Sequence, residues 1–282
     1  MQPDDSAKPV VVREPDASKG ARPVLRGESS REAGFLPSRL TILAAALLLA
    51  ACAQAPVQPE SRADVPVLML GEQHDAAEHQ QLHRQVVEGL ADRGVLAALA
   101  IEMAERGHST ASLPRTATEA QARAALAWDP RGWPWEPYAP AIMAAVRAGV
   151  PVVGANLPRS DMRGAMADTS LDRLLPGPAL KAQQQAIRIG HCQLLPESQI
   201  QPMTRVQIAR DRAMADTLAS LVQPDKTVVL LAGAGHVDPQ LGIPNYLPRG
   251  LEARPVVLTP VDTGKDHCAE LQKQRGAMQG GG

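Results

Sequence analysis

The feature that most constrains the fold of this chain is a set of short, unbroken apolar runs: Val65–Leu70, Ala97–Ile101, Val150–Gly154, Thr227–Ala232 and Pro255–Leu258. A strand with one face in water alternates apolar and polar residues, whereas a strand covered on both faces reads as a continuous apolar run. Strands of this kind belong to a mainly parallel β-sheet flanked by helices, and the intervening stretches carry helical patterns. One helix opens at Asp75-Ala76-Ala77-Glu78, read as an N-cap with a capping-box glutamate three residues on, and runs to about Arg93-Gly94. A second covers about Pro140–Ala148 and stops at Gly149, and a third spans about Met203–Leu221 and ends before Pro224. The segment 157–201 has helical signals and poor strand signals, which predicts a smaller helical subdomain. The expected fold class is therefore α/β, in one domain over residues 65–260, with no internal repeat.

Ahead of that domain the sequence changes character. The apolar run Leu40–Ala51 is too short to span a bilayer and has the length of a signal-peptide core. It ends in Leu49-Ala50-Ala51-Cys52, which resembles the lipobox of bacterial lipoproteins. In those proteins the cysteine is acylated, becomes the first residue after cleavage and anchors an exported domain. Residues 39–52 are thus read as a lipoprotein signal ending at lipidated Cys52, and 53–64 as a tether. Ala53 after the cysteine points to sorting to the outer membrane, facing the periplasm. Residues 1–38 are polar, rich in Pro, Arg and acidic residues, and aperiodic, so they are expected to be disordered. They are either an over-extended start, with translation beginning near Leu25-Arg26, or a cytoplasmic tail.

Charge and cysteine usage narrow the class further. Lys and Arg total 29 against 30 Asp and Glu, and no basic stripe exists, which argues against a nucleic-acid partner. With Cys52 committed to lipid, Cys192 and Cys268 remain, an even pair in an oxidising compartment. They either form a bridge that staples the C-terminal tail to the helical region or stay as two thiols. The tail 261–282, ending in three glycines, reads as disordered.

In parallel α/β sheets ligands bind beyond the carboxyl ends of the strands. After the first run comes Gly71-Glu72-Gln73-His74-Asp75, after the second Glu102, after the third Ala155-Asn156, and after the fourth Gly233-Ala234-Gly235-His236. As metal ligands, Glu72, His74, Glu102 and His236 make a mixed N/O set suited to zinc, manganese or iron. As acid/base groups, a Glu–His pair activates water. The same groups also simply tie loops together by hydrogen bonds, and the sequence leaves the three readings open.

Other residues extend the candidate set. His79 and His83 share a helix face with Val86 and Leu90, a spacing that serves either metal binding or half-buried histidines bonded to backbone. Arg210 falls between Val206 and Met214 on an inward stripe and needs a partner, either an internal carboxylate or an anionic ligand group such as a propionate. The chain has three Trp and two Tyr, yet Trp128, Trp133, Trp135 and Tyr138 crowd into one stretch. Flat side chains pack on flat ligands or fill gaps between a loop and a sheet. Tyr246 lies just downstream of His236.

Together, LGEQHD (70–75), WPWEPYAPAI (133–142), VPVVGANLPR (150–159), QIARDRAMADTL (207–218) and LLAGAGHVDPQLGIPNYL (230–247) resemble the ChaN family. These are bacterial haem-binding lipoproteins linked to iron uptake, in a superfamily that also holds Tiki-type metalloproteases and erythromycin-esterase-like hydrolases. The resemblance implies a parallel α/β domain with a smaller helical domain. It implies haem as cofactor, a homodimer around haem and a tyrosine iron ligand, for which this chain offers Tyr138 and Tyr246. His74 and His236 are the alternative iron ligands, and Arg210 is a partner for the cofactor's carboxylates. The wider superfamily implies the rival function, a metal-dependent hydrolase using Glu72, His74, Glu102 and His236 with zinc or manganese.

Overall fold

A computed structural model describes residues 65–279. The segments 1–38, 39–52 with Cys52, and 53–64 lie outside the described residues. Five strands, β1 (Val67–Glu72), β2 (Leu96–Glu105), β3 (Val152–Asn156), β4 (Thr227–Gly233) and β5 (Ala253–Val257), form one parallel sheet in the order β3-β2-β4-β1-β5. The chain is thus an α/β protein, as its continuous apolar runs predict. The helices are α1 (Ala77–Asp92), α2 (Glu119–Ala125), α3 (Ala139–Ala148), α4 (Arg159–Ala167), α5 (Gly177–Gly190), α6 (Glu197–Leu221), the single turn α7 (Ala234–Val237) and α8 (His267–Gln279).

Successive strand residues point to opposite faces, and both faces are covered. On one side Leu70, Val229 and Leu231 pack with Val87, Leu90 and Ile142 from α1 and α3. On the other, Met69, Val228 and Leu230 pack with Met214 and Leu218 from α6. Each enclosed aliphatic side chain stabilises by about 1.5–3 kcal/mol, so packing on both faces fixes where the strand ends fall. Within 157–201, α4 and α5 enclose Leu157, Leu171 and Leu175 against Val206 and Ile208 of α6, forming the small helical subdomain.

Four local expectations are corrected. Asp75 is not the cap of α1: Ala76 holds that position without a side-chain hydrogen bond, while Asp75 accepts from Thr263 at 2.5 Å and Gln73 at 3.0 Å. α6 begins at Glu197 and runs through Pro202, which costs one backbone bond near the start rather than ending the helix. β2 does not stop at Ile101 but continues to Glu105 past an irregularity. The tail read as disordered over 261–282 carries α8, and Cys268 at its start is bonded to Cys192. No helix among the described residues is long and apolar enough to cross a membrane.

The irregularity in β2 has a structural role. Ile101 pairs with Gly154 and Glu105 with Asn156, so β2 spends four residues where β3 spends two. A Cβ at Gly154 would lie 2.1 Å from the Glu105 carbonyl oxygen, so glycine is required there. Such bulges re-aim side chains beside functional sites. Here the displaced stretch holds Glu102, whose carbonyl accepts from Asn156 Nδ2 at 2.9 Å.

Candidate functional site

At the carboxyl edge of the sheet, Glu72 ends β1, Glu102 lies in the bulge of β2, and His236 sits in α7 directly after β4. With His74 from the β1–α1 loop they converge on one crevice, as the strand-end argument requires. The four are linked in a chain. His74 Nδ1 is 2.7 Å from Glu72 Oε1, His74 Nε2 is 4.0 Å from Glu102 Oε2, and Glu102 Oε1 is 3.3 Å from His236 Nε2.

Glu72 is the hub of one half. Its Oε1 also accepts from the Tyr138 hydroxyl at 2.6 Å, and its Oε2 accepts from Gln80 Nε2 at 3.3 Å. Tyr138 is buried at the start of α3, and burial followed by the Glu72 charge holds its phenol protonated well above the usual range. His83 Nδ1 lies 3.4 Å from Glu72 Oε2, and burial lowers its pKa to about 4, so the ring is neutral. His79 is bonded to backbone at both nitrogens: Nδ1 accepts from Gln73 N–H at 2.9 Å and Nε2 donates to Thr259 O at 3.1 Å. The histidine pair is therefore split, and neither member faces the crevice as a ligand.

His236 is the hub of the other half. Its Nδ1 is 2.5 Å from Asp211 Oδ1 and 3.1 Å from Gln207 Nε2, and its Nε2 faces Glu102. Burial alone would lower its pKa, but the flanking Glu102 and Asp211 carboxylates prevail and raise it to about 10. Burial works to raise the Glu102 pKa, yet the His236 and His74 charges and the Gly233 N–H at 2.8 Å hold it well below the usual range. Asp211 goes the other way, pushed up to about 6 by burial. At neutral pH His236 is thus held as a buried cation between the Glu102 and Asp211 carboxylates.

His74 differs from the buried histidines around it, His79, His83 and His236. Its side chain is 39% exposed, and its ring lies edge-on to Trp133 with centroids 4.7 Å apart. With Nδ1 on Glu72, Nε2 is the nitrogen turned toward the crevice. Burial would lower its pKa, but the hydrogen bond to Glu72 and the charge of Glu102 raise it overall. Beside it opens a cavity of about 170 Å³ lined by Glu102, Trp133, Asn156, Arg159 and Arg210. Among the described residues Arg210 Nε is buried without a hydrogen-bond partner. Asp211, not Arg210, is the residue α6 turns fully inward.

Tyr246 closes a 3₁₀ turn and packs against the α6 side of the sheet, its hydroxyl enclosed without a partner among the described residues. Burial and then the Asp211 charge push its pKa upward. Asp211, Gln207 and Gln80 were not singled out from the sequence as site residues. The spacing of Gln207, Asp211, Met214 and Leu218 matches one helix face and was the available signal. Among the described residues no group of three or more His, Cys, Asp or Glu is arranged to hold a metal ion.

The fold and the edge define a parallel α/β domain that presents imidazole, carboxylate and guanidinium groups at a crevice beyond its strand ends. A family model described as "Haem-binding uptake, Tiki superfamily, ChaN" matches residues 60–247, and the chain belongs to that family. Among solved structures it is similar to ChaN of Campylobacter jejuni, described for cofacial haem binding, at 26% identity and a TM-score of 0.57, covering 64% of this chain and 75% of that one. It also matches the type III effector HopBA1 at 19% identity and a TM-score of 0.38, covering 71% of this chain and 79% of that one. No curated protein matches the chain.

Proposed function

We propose that this protein binds haem at the mouth of the carboxyl-edge crevice, with His74 presenting Nε2 to the iron. The observation that carries the reading is the Glu72–His74 contact at 2.7 Å on a half-exposed imidazole. A carboxylate on one ring nitrogen fixes the tautomer and raises the basicity of the other, the usual support for a metal-ligating histidine. Haem bound there would supply an iron centre to the site. Trp133 offers a flat apolar edge beside it. Arg210, whose Nε has no hydrogen-bond partner among the described residues, offers a cation for a haem carboxylate, and Arg159, paired with Asp129 at 2.7 Å, lies on the same wall. Tyr138 and Tyr246 are less suited as ligands, because both hydroxyls are enclosed and held protonated.

The cavity of about 170 Å³ is smaller than the roughly 300–1,000 Å³ of pockets that enclose a ligand. Haem would therefore lie over the mouth with its outer face open, which suits cover by a second copy and the cofacial arrangement described for the Campylobacter protein. The lipobox-like sequence ending at Cys52 supports export and anchoring at the outer membrane, facing the periplasm, in a role in haem or iron acquisition. The hydrolase alternative with zinc or manganese draws no support from the site. Its donor set does not fit a divalent ion, since both nitrogens of His236 are taken by carboxylates.

Titration with ferric haem tests the reading. A saturable Soret band that is lost in His74→Ala, and retained in Tyr138→Phe and Tyr246→Phe, is expected. No saturable band at micromolar haem, or an unchanged band in His74→Ala, would overturn it. A shift to dimer on haem addition, followed by sedimentation, checks the second copy.

A further inference from the structure

Beyond β5 the chain crosses the β1–α1 loop as a strap. Leu258 N–H donates to Gly71 O at 2.9 Å, and Thr259 O accepts from His79 at 3.1 Å. Val261 N–H donates to Gln73 Oε1 at 3.1 Å, and the Thr263 hydroxyl donates to Asp75 at 2.5 Å. His267 Nε2 then lies 3.4 Å from Asp75 Oδ2. Every one of these contacts falls on residues 71–79, the segment that carries Glu72 and His74. One residue further on, Cys268 is bonded to Cys192, which follows α5 in the helical subdomain.

Exposure points to this bond, rather than packing, as what anchors the far end of the strap. The side chains described at the start of α8 are mostly exposed, Cys268 among them. On the other side of the bond, Cys192 and Gln193, at φ +53° and +58°, form the left-handed C-terminal cap of α5, closed by Gln193 N–H donating to Arg188 O at 2.8 Å, so Cys192 sits on a fixed helix end. We propose that the Cys192–Cys268 disulfide is a redox latch on the haem crevice: a dithiol that reduces it frees the strap and loosens the loop bearing His74.

The step balances. A thiolate of the dithiol attacks Cys268 Sγ, the Sγ–Sγ bond breaks, and Cys192 leaves as a thiolate that takes up a proton. The second thiol of the reductant then displaces Cys268, so two electrons and two protons pass from the dithiol, which ends as a disulfide. Exposed disulfides are the ones open to this exchange.

The effect on haem rests on the proposed function, whereas the latch itself is read without haem. Amide hydrogen exchange on the full chain, oxidised and then reduced with dithiothreitol, is compared with Cys268→Ser. Several-fold faster exchange over both 257–268 and 70–80, with β2 and β4 unchanged and protection regained on reoxidation, is expected. Unchanged exchange over 70–80 would overturn the latch, and so would faster exchange throughout the sheet, which would make the bond a general staple. With haem added, reduction should weaken the Soret response several-fold. If oxidised protein gives no Soret response, the haem reading fails while the exchange result still decides the latch.

Discussion

His74 Nδ1 lies 2.7 Å from Glu72 Oε1, and this contact turns the other imidazole nitrogen toward the crevice. The same carboxylate oxygen accepts from Tyr138, so the hub that orients His74 is itself fixed from the first turn of α3. The two histidines of the edge are thereby divided, His74 with one nitrogen outside hydrogen-bond distance of a carboxylate and His236 with Asp211 and Glu102 against its two nitrogens.

Replacing Glu72 with Gln should remove the charge that supports His74 without emptying the site. An amide cannot accept from Tyr138, His74 and Gln80 together, so at least one buried donor is left unmet. A loss of about 1–3 kcal/mol is expected for that unmet bond, seen as a lower denaturant midpoint. Haem affinity should fall with it, and an unchanged Soret titration would count against Glu72 as the support of the ligand.

Gly233→Ala probes the same imidazole from β4. The added Cβ would meet His74 Nε2 at 2.8 Å, while the glycine's own φ of −59° suits alanine. The backbone is therefore unstrained, and the side chain that must move is His74. We expect a cost of about 1–3 kcal/mol and a weakened Soret response. Wild-type affinity would show that iron does not use that nitrogen.

The buried pair at His236 sets a pH window for stability. The folded pKa of His236, about 10, lies above its ordinary 6.5, so its contribution is full below 6.5 and is lost as pH rises through about 10. Glu102 is held below its ordinary 4.5, so its contribution is present above that value and lost in acid. Asp211, raised to about 6, takes back part of the gain above that pH. Melting temperature should be highest between these limits and decline toward pH 10. His236→Ala should lose about 3–5 kcal/mol at neutral pH, because two buried carboxylates lose their cation, and should flatten the alkaline decline. A wild-type alkaline slope in that variant would remove His236 as the cause.

Cys52→Ala should release the protein from membranes and abolish fatty-acid labelling. Stable anchoring takes more than one acyl chain, which a mature lipoprotein amino terminus carries. Membrane fractionation with labelling intact would exclude Cys52 as the acylated residue.

The apolar runs determined the parallel sheet and its flanking helices, because burial on both faces of a strand is written locally in consecutive residues. Placing Glu72, His74, Glu102 and His236 at one edge followed from the same logic, since parallel strands bring all their carboxyl ends together. What each group does there was decided by neighbours distant in sequence. Asp211 reaches His236 across 25 residues and Tyr138 reaches Glu72 across 66, contacts that depend on how α6 and α3 pack on the sheet. Tyr138 is a candidate ligand only through the family resemblance, and the fold buries its hydroxyl against a carboxylate. Counting the cysteines left over made a Cys192–Cys268 bridge one of two alternatives, but neither the bond nor what it restrains was decided there, because the strap's grip on residues 71–79 exists only once β5 lies beside β1. Pattern and propensity act between near neighbours along the chain, whereas protonation, ligand geometry and restraint depend on charges and burial through space.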